Sequence, residues 1–333
     1  MTFKMIKGRA MPEISDELII EAKGLKRTFK AKKTLIEAVR GVDLTVKTGE
    51  IVGFLGPNGA GKTTTLKMLT TLLDPTGGTA TVAGSDLRRD PVGVRRKIGY
   101  VSQAGSTSSE ARAGEEIVNH AQLYGIAPAV SKKRAEALLE ALELPDVWNR
   151  ACGSLSGGQR RRLDIVMGLI HQPMLVFLDE PSTGLDPQSR ANLWTHIRKL
   201  RDELGTTVFL TTHYMDEADS LSDRILIIDK GEIVAEGTPA ELKKRVSGDT
   251  ITLTLRSESD AGRAAEIAAS LVGADKPVTE ANVVRFHVPD GGSALPVLLG
   301  GLVKSNIEAI GVEVNRPTLD DVFLTLTGRS LRD

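Results

Sequence analysis

Short apolar runs bounded by glycine or polar residues alternate along this chain with stretches whose apolar positions recur every three or four residues, the pattern of strands and helices in alternation. Ile51-Val52-Gly53-Phe54-Leu55 reads as a buried strand, and Thr65-Leu66-Lys67-Met68-Leu69 as the body of a helix. Further strands are expected at Leu18-Ile19-Ile20, Val42-Asp43-Leu44-Thr45-Val46, 77–84 and Ile98-Gly99-Tyr100-Val101. Others are expected at 174–180, 206–212, and a closing pair, 223–229 with 233–237, around the turn Lys230-Gly231. Between 115 and 144 the spacing turns helical, with Ile117, Ala121, Leu123, Ala135, Leu138, Leu139 and Leu142 on the apolar positions and Pro128 and Pro145 as punctuation. This block reads as a helical insertion between strands of one core. The stretch 104–109 is small and polar, and is expected to be a mobile loop.

Beyond Thr238-Pro239 a helix over 240–246 leads into a second unit. There Ile251, Leu253 and Leu255 alternate as in a half-buried strand, as do Val284, Phe286 and Val288, and Ile310, Val312 and Val314. Helical stretches fall at 264–271 and 295–303. A last helix follows Thr318, capped with Asp321, and is expected to bury Leu319, Val322, Phe323 and Leu326. This is a small α+β unit without a catalytic constellation.

The strand at 51–55 and the helix after it flank Gly56-Pro57-Asn58-Gly59-Ala60-Gly61-Lys62-Thr63-Thr64. Strand, glycine loop and helix, in that order, make a phosphate-binding P-loop. The glycines let backbone N–H groups converge on phosphate oxygens at the positive end of a helix dipole. Lys62 reaches the β- and γ-phosphates, and the Thr63 hydroxyl ligates Mg2+. A plain glycine turn before a helix is the bland alternative.

Two carboxylates, Asp179 and Glu180, end the strand expected at 174–180, where ligands bind in open α/β sheets. Side-chain alternation would aim them to opposite sides, Asp179 at magnesium and Glu180 at the γ-phosphate as base or water-orienting group. His213 ends the next strand, within reach of the same phosphate. A second glycine-rich helix start, Leu155-Ser156-Gly157-Gly158-Gln159, has Ser156 as N-cap and two glycines that leave N–H groups uncovered. Phe29 stands in a basic stretch with Lys23, Lys26, Arg27, Lys30, Lys32 and Lys33; this is either a solvated strand face or an aromatic that stacks on a nucleotide base.

Composition narrows the class. At 333 residues, 41% of them hydrophobic, the chain has room for a main domain and a smaller one. Lys+Arg and Asp+Glu are 43 each, so no basic field argues for nucleic acid. The single cysteine, Cys152, excludes an internal disulfide framework and fits a reducing cytoplasm. No apolar run approaches a membrane span and the N-terminus has no signal-peptide core, so membrane work requires a partner.

This ordered set resembles the ATP-binding subunits of ABC transporters, with GPNGAGKTT as Walker A, Gln103 as the Q-loop, LSGGQ as the signature, LVFLDE as Walker B, Ser182-Thr183-Gly184-Leu185-Asp186 as the D-loop and His213 as the H-loop. LSGGQRRRLD and the tail Arg316-Pro317-Thr318-Leu319-Asp320-Asp321-Val322-Phe323-Leu324 resemble the drug-exporter branch similar to daunorubicin-resistance ATPases. The resemblance implies an α/β fold: a P-loop ATPase core with an antiparallel β subdomain and a helical insertion, followed by a small α+β C-terminal domain. It implies an extension at 1–17, a nucleotide-binding domain at 18–246 with its helical subdomain at about 104–170, and an accessory domain at 247–333.

It further implies ATP and Mg2+ as ligands, with Thr63, Gln103 and Asp179 around the metal, Glu180, His213, Lys62 and Gln103 as the catalytic set, and Phe29 against adenine. Two copies, or this chain and a homologous subunit, would pack head to tail. Ser156, Gly157, Gly158 and Gln159 of one would close the site of the other, with Asp186 communicating across the dimer. A separate polytopic permease would bind near 104–109, with the chain peripheral on the cytoplasmic face of the membrane and no nucleic-acid partner. An importer ATPase is the nearest alternative, then an ABC protein acting on ribosomes or DNA, which normally carries two cassettes. A P-loop kinase needs no signature.

Overall fold

The computed structural model of the protein describes residues 16–31, 34–246 and 248–328. The described chain divides into two compact units, one up to Pro239 and one from Ala240 onward. The first holds β1 (Leu18–Ala31), β2 (Thr34–Lys47), β3 (Ile51–Leu55), α1 (Lys62–Leu69), β4 (Gly77–Val82), β5 (Ser85–Asp86), α2 (Pro91–Lys97) and β6 (Ile98–Val101). It continues with α3 (Ala113–Leu123), α4 (Pro128–Ala141), α5 (Gly157–Leu169), β7 (Leu175–Asp179), α6 (Pro187–Leu204), β8 (Thr207–Thr212), α7 (Met215–Leu221), β9 (Arg224–Asp229) and β10 (Glu232–Gly237). A short helix, α8 (Pro239–Lys244), follows at the division.

A six-stranded sheet, in the order β10-β9-β3-β8-β7-β6, forms the middle of the first unit; β10 pairs antiparallel and the other strands are parallel. Its central strands β3 and β7 read as apolar runs because both faces are covered. From β7, Val176 and Leu178 enter a core built with α3 to α6, while Leu175 and Phe177 enter a second core shared with β1, β2, β4 and α1. Phe54, Phe209 and Phe177 form a row of tilted rings on that second side, with centroids 5.6 Å apart. The antiparallel sheet β2-β1-β4-β5 closes this layer. The parallel neighbours β3, β8 and β7 bring their carboxyl ends to one edge, which is where the glycine loop, His213 and the acidic pair emerge.

The strand expected at 18–20 runs on to Ala31 and carries Lys26, Arg27 and Lys30 into the pair with β2, and Lys23 into the pair with β4. Register shifts at Ala22/Leu25 and Arg27/Thr28 break the two-residue period there, which hides the strand from a pattern reading. Lys32 and Lys33 lie outside the described residues. The turn between β9 and β10 has Lys230 at φ 48° and Gly231 at φ 84°, the twin left-handed residues of a tight hairpin.

The second unit contains β11 (Asp249–Leu255), α9 (Ala261–Ala269), β12 (Val278–Glu280), β13 (Val283–Val288), α10 (Gly291–Lys304), β14 (Ala309–Asn315) and α11 (Leu319–Thr327). Its antiparallel sheet, ordered β12-β13-β11-β14, buries Ile251, Leu253, Leu255, Val284, Phe286 and Val288 against Ala264, Ala268, Leu298 and Leu302 of the two helices. Ile310, expected inside, is 58% exposed: the ladder shifts register between Thr254 and Leu255, and the extra residue is turned out. Leu326 is also turned outward, whereas Leu319, Val322 and Phe323 are buried.

Candidate active site

The glycine loop sits where its geometry has no substitute. Gly61, the residue before α1, has φ 107°, and a Cβ there would lie 2.5 Å from the Ala38 carbonyl oxygen; at Gly56 it would lie 2.3 Å from that of Ile228. No side chain caps α1. Its positive end therefore faces the loop's concavity, a site suited to an anion. Lys62 folds over the loop, its ammonium donating to the Gly56 carbonyl at 2.8 Å and to that of Pro57 at 3.0 Å. It lies 3.4 Å from Glu180 Oε1. Burial pushes the Lys62 pKa down and Glu180 partly offsets this, so the pocket holds a desolvated cation aimed where phosphates would sit.

Asp179 and Glu180 do not alternate as a strand would have them. β7 ends at Asp179, and Glu180 adopts φ 45°, a left-handed turn that brings its carboxylate round to the loop. Asp179 Oδ1 accepts from Thr63 Oγ1 at 3.1 Å and Thr211 Oγ1 at 2.7 Å. Glu180 is 8% exposed. It accepts from Gln103 Nε2 at 3.1 Å and Thr183 Oγ1 at 3.2 Å. His213 Nδ1 lies 3.2 Å from the same Oε2, yet it is buried without hydrogen-bond geometry to any partner among the described residues. One carboxylate thus gathers Lys62, Gln103, Thr183 and His213 from four separated segments.

A nucleoside triphosphate with its magnesium fits this donor set. The Thr63 hydroxyl, Asp179 and the amide oxygen that Gln103 keeps free of its bond to Glu180 are the hard oxygen ligands that Mg2+ takes. The uncapped start of α1 is suited to a further anion.

A second group of expected site residues lies apart from this cluster. Ser156 caps α5 with Gln159 in a reciprocal box, Gln159 N donating to Ser156 Oγ at 3.2 Å and Ser156 N to Gln159 Oε1 at 3.1 Å. Asp186 caps α6 through the Ser189 amide at 2.9 Å. The two helix starts are neighbours, since a Cβ at Gly158 would meet Ser189 Oγ at 3.3 Å and one at Gly157 would meet Leu185 at 3.6 Å. Ser156, Gly157 and Asp186 face solvent. Phe29 pairs with Ile36, two residues along β2 from the Ala38 that abuts Gly61, and the Arg27 guanidinium lies 4.7 Å from its ring centroid. That pairing sets Phe29 roughly 7 Å along the hairpin from the level of Ala38.

Three residues escaped the sequence reading. Thr211 joins the acidic pair by donating to Asp179 while accepting from the Glu180 N–H at 3.0 Å. Glu217, fully buried, accepts from the Ser182 hydroxyl and, at 3.2 Å, from Trp194 Nε1; desolvation raises its pKa. Arg161, on α5, turns inward onto the carbonyls of Ser102, Asp179 and Pro181. A threonine in an apolar strand beside an acidic pair was a readable signal; the middle of three arginines was not. The 104–109 stretch, expected to be mobile, is tied down at Ser106 by Asp164.

The family model for ABC transporters matches residues 39–183, and a model described as the C-terminal domain of DrrA1-3-like ATP-binding proteins matches residues 237–327. A daunorubicin resistance ATP-binding protein of Streptomyces coeruleorubidus is 40% identical over 94% of this chain and 97% of its own length. This chain belongs to the ABC transporter ATP-binding family. Within the family it falls with the drug-resistance branch: a linearmycin resistance ATP-binding protein of Bacillus subtilis is 36% identical over 95% of this chain and 100% of its own. Among solved structures, the dimeric post-hydrolysis form of the ATP-binding cassette MJ0796 bound to ADP and Pi matches with a TM-score of 0.60 and 29% identity, over 66% of this chain and 98% of that one. The expected P-loop ATPase fold and the finer placement are both borne out.

Proposed function

We propose that this ABC ATPase is the hydrolytic subunit of an exporter that moves a drug, lipid or other hydrophobic compound through a separate polytopic permease. The observation that carries the hydrolytic reading is the convergence of Lys62, Gln103 and His213 on Glu180 beside the Thr63–Asp179 pair. Lys62 and the loop N–H groups hold the β- and γ-phosphates, and Phe29 stacks on the base. Thr63, Asp179 and Gln103 would hold Mg2+, which supplies charge neutralisation on the phosphates. Glu180 orients water and takes its proton, while His213 donates to the γ-phosphate.

The solvent-facing starts of α5 and α6 support a paired arrangement, in which Ser156, Gly157, Gly158 and Gln159 of a second copy complete each pocket and Asp186 lies at the contact. Export over import is favoured by the match of residues 237–327 to the DrrA1-3-like domain and by relatives named for resistance. No helix among the described residues is long and apolar enough to cross a membrane, so the membrane path belongs to the permease, which would dock near 104–109 on the cytoplasmic side.

Glu180→Gln keeps the shape of the site and removes the base. With ATP and Mg2+ this variant is expected to elute from gel filtration as a dimer, and chelating the metal with EDTA should return it to monomer. A variant that binds ATP and Mg2+ yet stays monomeric overturns the paired arrangement.

A further inference from the structure

The helix that carries the signature also grips the Gln103 loop at both ends. Arg161, two residues past Gln159, is 7% exposed, and the donors of its guanidinium do not go to a carboxylate side chain among the described residues. Instead its guanidinium donates to three backbone carbonyls: Nη1 to Ser102 at 2.5 Å, Nη2 to Asp179 at 2.9 Å and Nε to Pro181 at 3.0 Å. Asp164, one turn along α5 and 4% exposed, accepts from Ser106 N at 3.1 Å and Ser106 Oγ at 3.3 Å. Between these anchors, Ser102 Oγ closes the loop onto the Gly105 carbonyl at 3.1 Å, and Gln103 reaches Glu180.

The two lower carbonyls held by Arg161 belong to the residues on either side of Glu180, the residue in the strained left-handed conformation. A planar fork with fixed donor directions suits this task, and a lysine ammonium does not. Among the described residues, the charged group with its donors on both flanks of the carboxylate and on the root of the Gln103 loop is therefore a residue of the signature helix.

We propose that Arg161 and Asp164 are positioning residues for hydrolysis, locking Gln103 and Glu180 in register with the signature helix of the same subunit. The consequence is directional: a movement of α5, as when a second copy engages Ser156 to Gly158, is transmitted to that subunit's own Glu180. This rests on the reading of Glu180 as the hydrolytic carboxylate.

Steady-state ATP hydrolysis by the full chain tests it. Arg161→Met and Arg161→Lys are expected to lower kcat by about tenfold or more with KM for ATP within about twofold, the pattern of a group that acts on the transition state and not on nucleotide binding. Asp164→Ala should lose roughly three- to tenfold in kcat, and Asp164→Asn, whose amide oxygen still accepts from Ser106, should stay within about twofold of the parent. Unchanged kcat, a rise in KM alone, or an Asp164→Asn variant as impaired as Asp164→Ala overturns the proposal; the Asp164 pair decides if the Arg161 variants do not fold. Glu180→Gln runs alongside. If it hydrolyses ATP normally, the active-site reading fails, whereas an inactive Glu180→Gln beside fully active Arg161 and Asp164 variants sinks only the clamp.

Discussion

Helix α1 begins at Gly61, left-handed and without a side-chain cap, whereas α5 begins at Ser156, whose hydroxyl and Gln159 satisfy the first turn from within. Both starts are glycine-rich and both present a positive helix end. The first is buried under Lys62, has charged groups on neighbouring strands and carries no side-chain cap, which suits it to an anion. The second faces solvent and is content without a ligand. In the proposed paired arrangement the second start is a half-site that must stay stable in a lone subunit, and a cap of its own provides that. The first, in the same proposal, is completed by nucleotide and carries no cap.

The contrast breaks most severely at Gly61. Gly61→Ala forces a Cβ against the Ala38 carbonyl at a φ that side chains avoid, a conflict of about 1–3 kcal/mol for the backbone alone. ATP affinity, measured by titration calorimetry, is expected to fall at least about 100-fold, the sum of that strain and a displaced loop. Ser156→Ala is milder and acts twice. Loss of the cap should lower stability to urea by about 1 kcal/mol, and the ATP-dependent dimer of a Glu180→Gln background should weaken beyond that amount, because the hydroxyl serves both states. Equal losses in monomer and dimer would reduce Ser156 to a cap.

The smallest effect concerns the far end of α5. His171 stacks on Tyr124 with centroids 3.8 Å apart and donates Nε2 to the Ile98 carbonyl at 2.8 Å, and burial lowers its pKa from 6.5 to about 4. Between those values the unfolded chain binds the proton and the folded chain does not, so the contribution to stability is complete above pH 6.5 and is lost as pH falls towards 4. A His171→Gln variant should show a flatter fall in thermal midpoint across that window than the parent. Parallel curves would remove His171 from the acid response.

Much of this was legible in the residue pattern because the core strands are buried on both faces and announce themselves as apolar runs, and because a phosphate loop tolerates few residue types. The illegible parts have physical causes. Arg161 sits among three arginines and reads as surface charge; only the tertiary fold turns it inward onto carbonyls. The hairpin of β1 and β2 is broken by register shifts, and Ile310 is displaced by another, so a strict two-residue period misassigned both. The alternation argument for Asp179 and Glu180 failed at a single backbone angle, since the strand ends between them.

That angle has an evolutionary reading. At φ 45° the backbone of residue 180 favours glycine or asparagine over a glutamate by about 1–2 kcal/mol. Selection for a sturdier fold alone would therefore erode the carboxylate. With Glu180 as the proposed hydrolytic carboxylate, attempts to raise the thermal midpoint of this protein by relaxing left-handed residues would find an attractive and ruinous substitution there, where stability and turnover pull the chain in opposite directions.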